Sequence, residues 1–185
     1  MLIQAQRGKK FKVHMSDIAF TTSDIYSILE EVKDPEIPVL SVNDLGIIRK
    51  VESVHDTNGN LQWQITITPT YSGCPAMDAI TTNLRMALFA NGITNFKIKQ
   101  ELSPAWTTAW MTEAGKQKLQ TFGIAAPNPL QTRFVNEIAE DKGPAACPQC
   151  LSTNTSVISD FGSTACKSLY RCNDCLEPFD YFKCH

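Results

Sequence analysis

The sequence predicts an α+β fold, a small mixed sheet with packed helices followed by a small separate domain, and three features predict it. An amphipathic helical pattern opens near Thr22, two strand-like segments flank Asn58-Gly59, and the cysteines crowd into the C-terminal tail, where two Cys-x-x-Cys pairs stand.

Residues 1–20 are mixed in character, basic around Arg7, Lys9 and Lys10, and are expected to form a flexible tail. Beyond them Ile25, Ile28, Leu29 and Val32 recur at helical spacing. Thr22 or Ser23 is placed to cap this helix, and Asp24 suits the positive end of its dipole. Pro35 disfavours helical geometry at the residue before it, so the helix should stop at Asp34. LGIIRKVESV and LQWQITIT then flank HDTNGN, in which Asn58-Gly59 supplies positive-φ hairpin chemistry. Leu61, Trp63, Ile65 and Ile67 alternate with polar residues, the pattern of a strand with one buried face.

CPAMDAITTNLRMALFANG reads as a second helix, with Pro75 near its first turn and Gly92 at its C-terminal cap. Phe96, Ile98 and Leu102 suggest a third strand. Thr112 to Phe122 suggests a last helix, capped by Thr112 and stopped by Gly123. The expected domain thus spans 21–124. Residues 125–143 carry Pro127, Pro129 and a charged run and read as a linker, within which Leu130, Phe134, Val135 and Ile138 suggest a short docked helix. The remainder, 144–185, is too short to fold on an apolar core alone and needs a staple.

Bulk properties narrow the function classes. Apolar residues make up 43% of the 185, enough for a sizeable core, and the formal charge is only -2. There is no broad cationic field of the kind that draws a protein to nucleic acid or to anionic lipid, so small molecules or proteins are the expected partners. No apolar run approaches the roughly 18 residues of a membrane span, and the N-terminus lacks a secretory core; the expected location is cytoplasmic. In a reducing cytosol seven cysteines read as metal ligands or reactive thiols rather than as disulfides.

The staple is Cys147-Pro-Gln-Cys150 and Cys172-Asn-Asp-Cys175. Two such pairs at this separation are the pattern of a zinc ribbon, in which four thiolates close a tetrahedron and leave no open position, so the metal is structural. Zinc is the default, although four sulfurs also suit iron. From Pro144 onward three basic residues, Lys167, Arg171 and Lys183, face four acidic ones, Asp160, Asp174, Glu177 and Asp180, a balance that disfavours a phosphate-binding surface. Phe161, Tyr170, Phe179, Tyr181 and Phe182 read as the ribbon's small core or as a protein-docking face. Cys166, Cys184 and His185 are left over, either incidental or part of a second, incomplete metal site; if the ribbon folds back, they and Cys74 could together supply four ligands.

Cys74 stands apart from the other cysteines, between a strand ending near Thr70 and a helix starting near Pro75. A helix N-terminus favours thiolate, making Cys74 a candidate nucleophile or metal ligand, against the alternative of a buried small hydrophobe. No histidine lies near enough in sequence to serve as its base, and His55 falls in the hairpin turn, so a thiol hydrolase is weakly supported. Metal ligation needs only a carboxylate, or a cysteine from a second copy in a homodimer. Carboxylates are available in DPEIPVLSVNDLGII, where capping and turn formation by themselves explain Asp34 and Asp44.

VKDPEIPVLSVNDLGIIRKV followed by ITITPTYSGCPAM resembles the MIP18 (DUF59) family: a DPE turn, an acidic-Leu-Gly entry to the first strand, and a Thr-rich strand end leading to Cys-Pro. The likeness runs from about Thr22 to Leu102. It implies a part in assembling or delivering iron-sulfur clusters, with Asp34, Glu36, Asp44, Thr68, Thr70 and Cys74 around a site for transient iron or an iron-sulfur cluster. LSPAWTTAWMTEAGKQKLQTFGIAAPNP and the ribbon's FGSTACKSLYRC and EPFDYFKCH resemble the phenylacetate-degradation protein D family. That likeness implies protein partners in a phenylacetyl-CoA epoxidase system: a di-iron oxygenase and an iron-sulfur flavin reductase. The chain has neither the paired Glu and Glu-x-x-His motifs of a di-iron site nor a nucleotide fingerprint, so an accessory or maturation role is expected. The alternative is a non-catalytic structural or regulatory subunit that binds the complex through its ribbon.

Overall fold

Helix α1 (Thr22–Glu30) is fixed at its start by a capping box one residue earlier than expected. The Thr21 hydroxyl accepts from the Asp24 N–H at 3.2 Å, and the Asp24 carboxylate accepts from the Thr21 N–H at 2.7 Å. Ile25, Ile28 and Leu29 face inward as their spacing requires. The helix ends at Glu30, short of Asp34. The chain folds back there: Lys33 bridges to Ser41 and the Asp34 N–H donates to the Leu40 carbonyl at 3.0 Å, using the backbone groups another helical turn would need. The computed structural model describes residues 20–127 and 145–183. Residues 1–19 of the expected tail, most of the linker with its suggested docked helix, and Cys184 and His185 lie outside the described residues, whereas Phe20, the last residue of that tail, packs against the first core.

Strands β1 (Ile48–His55) and β2 (Leu61–Ile67) pair antiparallel, and β3 (Phe96–Gln100) joins β2 in parallel, giving a mixed sheet in the order β1-β2-β3. Gly59 alone supplies the positive φ of the hairpin turn, at +81°, while the Asp56 carboxylate accepts from the N–H groups of Asn58 and Asn60 at 2.8 and 2.9 Å. Trp63, Ile65 and Ile67 are buried as alternation demands, but Leu61, at the strand's open end, is exposed. Leu102 is not part of β3. The last ladder bond runs from the Glu101 N–H to the Ile67 carbonyl, and Leu102 is left exposed beyond it.

Helix α2 (Ala76–Ala90) follows Pro75 and buries Met77, Ile80, Leu84 and Leu88. Helix α3 (Glu113–Phe122) is capped by the Thr112 hydroxyl, which accepts from the Gly115 N–H at 2.9 Å, and is stopped by Gly123 at a φ of +89°. The helices and sheet enclose one core centred on Leu29, Leu40, Ile65 and Leu84, all fully buried.

A second sheet forms in the order β4-β7-β6-β5. Its strands are β4 (Ile124–Ala125), β5 (Thr155–Ser159), β6 (Lys167–Cys172) and β7 (Pro178–Phe182). Ile124 and Ala125, at the expected junction of domain and linker, pair in parallel with Asp180 and Tyr181, so the first domain contributes a strand to the ribbon's sheet. Tyr170, Phe179 and Tyr181 pack with Ala125 and Ala145 in the ribbon's own small core, and Phe161 is exposed beneath the Lys183 ammonium. Phe182 and Cys166 turn the other way and belong to the first domain's core.

Candidate functional site

The four paired cysteines come together as their spacing requires. Their sulfurs all lie within 4.8 Å of one another, with Cys147 to Cys175 at 3.7 Å and Cys150 to Cys172 at 3.5 Å. A tetrahedral ion with sulfurs at about 2.3 Å has sulfur-sulfur edges of about 3.8 Å, so the cage fits a metal without rearrangement. Each pair ends in a tight turn. Leu151 and Leu176, directly after the second cysteine of each pair, hold φ of 62° and 66°, a left-handed conformation that is rare for leucine. The Cys175 N–H points at the Cys172 sulfur over 3.5 Å and, against the opposing effect of burial, favours that thiol's ionised form. Backbone N–H groups aimed at sulfur favour the thiolate that a metal needs. Among the described residues, this is the one group of three or more such ligands that meets so closely.

The second cluster lies where the two domains meet. Cys74 follows β2 and leads into α2, half-buried against the first core together with Tyr71. The expected N–H of the helix start, that of Ala76, does bond the thiol, and the side chains of Thr70 and Tyr71 also favour its charged form. Burial outweighs them, and the nearby Glu36 charge adds to it, so the Cys74 pKa is raised rather than lowered. Burial thus works against the thiolate that the helix N-terminus favours. Burial and the adjoining Cys74 push Tyr71 up to about 12.

The DPE turn faces this thiol. The Asp34 carboxylate accepts from the N–H groups of Glu36 and Ile37 at 2.8 and 2.7 Å, and burial raises its pKa. Glu36 is half-buried, and its Oε2 accepts from the Cys166 thiol at 3.2 Å. Cys166 is 5% exposed, shares a 3.1 Å contact with the Thr164 hydroxyl, and is pushed up to about 12, chiefly by burial.

Asp34, Glu36, Thr70, Cys74 and Cys166 are thus gathered at one place. Asp44 is engaged elsewhere: it accepts from the Ser41 N–H at 2.9 Å, from the Thr112 hydroxyl at 3.2 Å and from Lys118 at 2.5 Å. Thr68 is buried, and its N–H donates to the Ile47 carbonyl at 3.0 Å. Tyr71 is a member of the cluster that the motifs do not single out, although its place three residues before Cys74 is a usable signal. Lys167 is another: its charge favours ionised Asp34, and it pairs with Asp180 at 3.3 Å.

Residues 22–91 match the family described as iron-sulfur cluster assembly protein, and residues 131–183 match the PaaD zinc beta ribbon domain. An Escherichia coli K12 protein, named as the D subunit of a "Putative 1,2-phenylacetyl-CoA epoxidase", is 44% identical over 163 residues, 87% of this chain and 92% of that one. A Porphyromonas gingivalis protein named Fe-S protein maturation auxiliary factor is 36% identical over 100 residues, 54% of this chain and 90% of that one. Among solved structures, a DUF59 domain from Bacillus anthracis has a TM-score of 0.46 at 27% identity, covering 52% of this chain and 89% of that one. A conserved hypothetical protein from Thermotoga maritima has a TM-score of 0.43 at 25% identity, covering 54% and 94%. Because the 44% identity runs through both the cluster-assembly region and the ribbon, the chain belongs to the family of the 1,2-phenylacetyl-CoA epoxidase D subunit.

Proposed function

We propose that this chain is an accessory maturation component of a phenylacetyl-CoA 1,2-epoxidase system, and that Cys74 holds iron or an iron-sulfur unit on its way to the oxygenase or the reductase. The observation that carries the reading is the placement of Cys74, half-buried, bonded by the helix-start N–H of Ala76 and within electrostatic reach of the Glu36 carboxylate. A thiol kept protonated at rest binds a soft cation by releasing its proton, and gives it up when a client's thiolates or carboxylates compete. The maturation role in the name of the P. gingivalis relative supports this direction.

Zinc is the metal assigned to Cys147, Cys150, Cys172 and Cys175. It would cross-link the turns that carry the sheet β4-β7-β6-β5 and, with all four positions filled by sulfur, do no chemistry. Asp34 serves by fixing Glu36, and Thr70 and Tyr71 by orienting the thiol. Such a chain works in the cytoplasm, where these thiols stay reduced.

The test is to supply cells with Cys74→Ser as their sole copy, purify the oxygenase and reductase components without oxygen, and measure iron and acid-labile sulfide per chain. The expected result is a folded variant with under-loaded clients. Fully loaded clients would overturn the reading and leave a structural subunit, which should then co-purify with active epoxidase in fixed ratio.

A further inference from the structure

The ribbon reaches into the first domain with one thiol. Cys166 stands immediately before β6, is not one of the four paired cysteines, and lies 130 residues from the carboxylate it touches. Its position is firmly built. The Lys183 N–H donates to the Cys166 carbonyl at 3.0 Å, the Lys167 N–H donates to the Thr164 carbonyl at 3.1 Å, and Cys166 packs in the same core against which Tyr71 and Cys74 lie. Burying a thiol beside a carboxylate gains little for folding, since either ionised partner would be poorly solvated there. As a ligand pair the same arrangement has a use.

Resting on the reading that Cys74 holds iron, we propose that the holding site is composite: Cys166 of the ribbon supplies a second thiolate and Glu36 a carboxylate oxygen, so that the site exists only while the ribbon is docked. The Cys166 sulfur donates to the Glu36 Oε2 at 3.2 Å, and the cation takes the place of that proton. A sulfur at about 2.3 Å and an oxygen at about 2.1 Å on one tetrahedral ion are about 3.6 Å apart, so Cys166 and Glu36 need separate by only a few tenths of an ångström. Cys74 completes the set by closing on the other two, because the three ligand atoms do not lie within 4.8 Å of one another in the resting structure. Binding converts two thiols to thiolates, releases two protons to solvent and changes no oxidation state. Movement of the ribbon would withdraw one thiolate and lower the affinity, which gives a partner that grips the ribbon a means to release the cargo.

The probe is cobalt(II), added without oxygen to full-length protein whose ribbon is already filled with zinc, the metal that thiolate sites prefer over cobalt. The expected signal is a thiolate-to-cobalt absorption from one further equivalent. Cys166→Ser should halve its intensity and weaken binding by about tenfold or more; Glu36→Gln should keep the intensity while weakening binding by a similar factor. Glu36 is only half-buried, so its variant remains informative even if Cys166→Ser misfolds. Wild-type intensity and affinity in both variants, with the signal lost in Cys74→Ser, would overturn the composite site and leave the Cys74 reading standing. No further equivalent bound by the wild type would overturn both.

Discussion

The indole of Trp106 meets the ring of Phe182 edge-on, their centroids 6.1 Å apart and their planes inclined by 85°, although Phe182 ends the ribbon's last strand and Trp106 belongs to the first domain. Both side chains are almost fully buried, and the Trp106 N–H donates to the Leu45 carbonyl at 2.8 Å. The ribbon therefore closes one side of the first core. Stripping its metal with a chelator and a thiol reagent should loosen β7, expose Trp106 and destabilise the first domain by about 2–3 kcal/mol, the worth of burying one large aromatic. A shift of tryptophan emission to longer wavelength, diminished in Trp106→Phe, is the measurement; emission and melting temperature unchanged by metal removal would show that the two cores are independent.

Asp44 and Lys118 make a different kind of contact, one that holds the acidic-Leu-Gly turn to α3. Burial works against ionised Asp44, but the Lys118 ammonium, the Ser41 N–H and the Ser41 hydroxyl outweigh it and lower the pKa. A carboxyl depressed in the folded state contributes stability above its unfolded pKa of about 3.9, and that contribution is lost as pH falls through the lower folded value. Asp44→Ala should cost about 2–4 kcal/mol in urea unfolding at pH 7, with most of the difference from wild type vanishing in acid. Lys118 is 39% exposed, so Lys118→Met should cost only about 1 kcal/mol. Equal losses from the two variants would contradict the assignment of the buried hydrogen bonds to Asp44.

How far these features are legible depends on how local their causes are. The capping residue and left-handed glycine that bound α3, the Asn58-Gly59 turn and the two Cys-x-x-Cys knuckles are set by a few neighbouring residues, and so can be read directly. The end of α1 cannot, because the competitor is a chain reversal closed by Ser41 and Leu40, residues beyond the helix. Nor is the electrostatic balance at Cys74 legible: the helix N-terminus is a local signal that favours thiolate, whereas the burial that opposes it comes from packing. That the ribbon folds back with Cys166 is visible only as an unplaced cysteine, since nothing in its spacing names Glu36 as its partner.

Gly46 follows Leu45 at the entry to β1 with a φ of +67°. A Cβ there would stand 2.2 Å from the Trp110 carbonyl oxygen, a main-chain atom that cannot swing aside. Gly46→Ala should therefore combine left-handed strain with a backbone clash and cost about 3 kcal/mol or more. Gly59→Ala is the control: its φ is +81° but its Cβ would meet nothing within 4 Å, so only the conformational cost of about 1 kcal/mol remains. Thermal unfolding of the two variants separates the terms, and a Gly46→Ala protein as stable as Gly59→Ala would rule out the clash.

The two interfacial thiols should differ from exposed cysteines in how they respond to pH. Burial pushes Cys166 up to about 12 and also raises Cys74, with Glu36 adding to both. At pH 8 an ordinary cysteine with a pKa of about 8.5 is about one-quarter thiolate, whereas a group at 12 is about one part in ten thousand ionised. Iodoacetamide should thus label Cys166 about a thousandfold more slowly than a free thiol before any allowance for access, and Cys74 more slowly than a free thiol as well. The sign for stability follows from the raised folded pKa: the neutral Cys166 contributes fully below about pH 8.5, and the contribution is lost as pH rises toward 12. Labelling of zinc-filled protein from pH 7 to 10, with peptide mapping to separate Cys74 from Cys166, should show Cys166 modification climbing about tenfold per pH unit without a plateau. A plateau near pH 8.5 at Cys166 would mean that this thiol is solvated, and that it does not lie buried against Glu36.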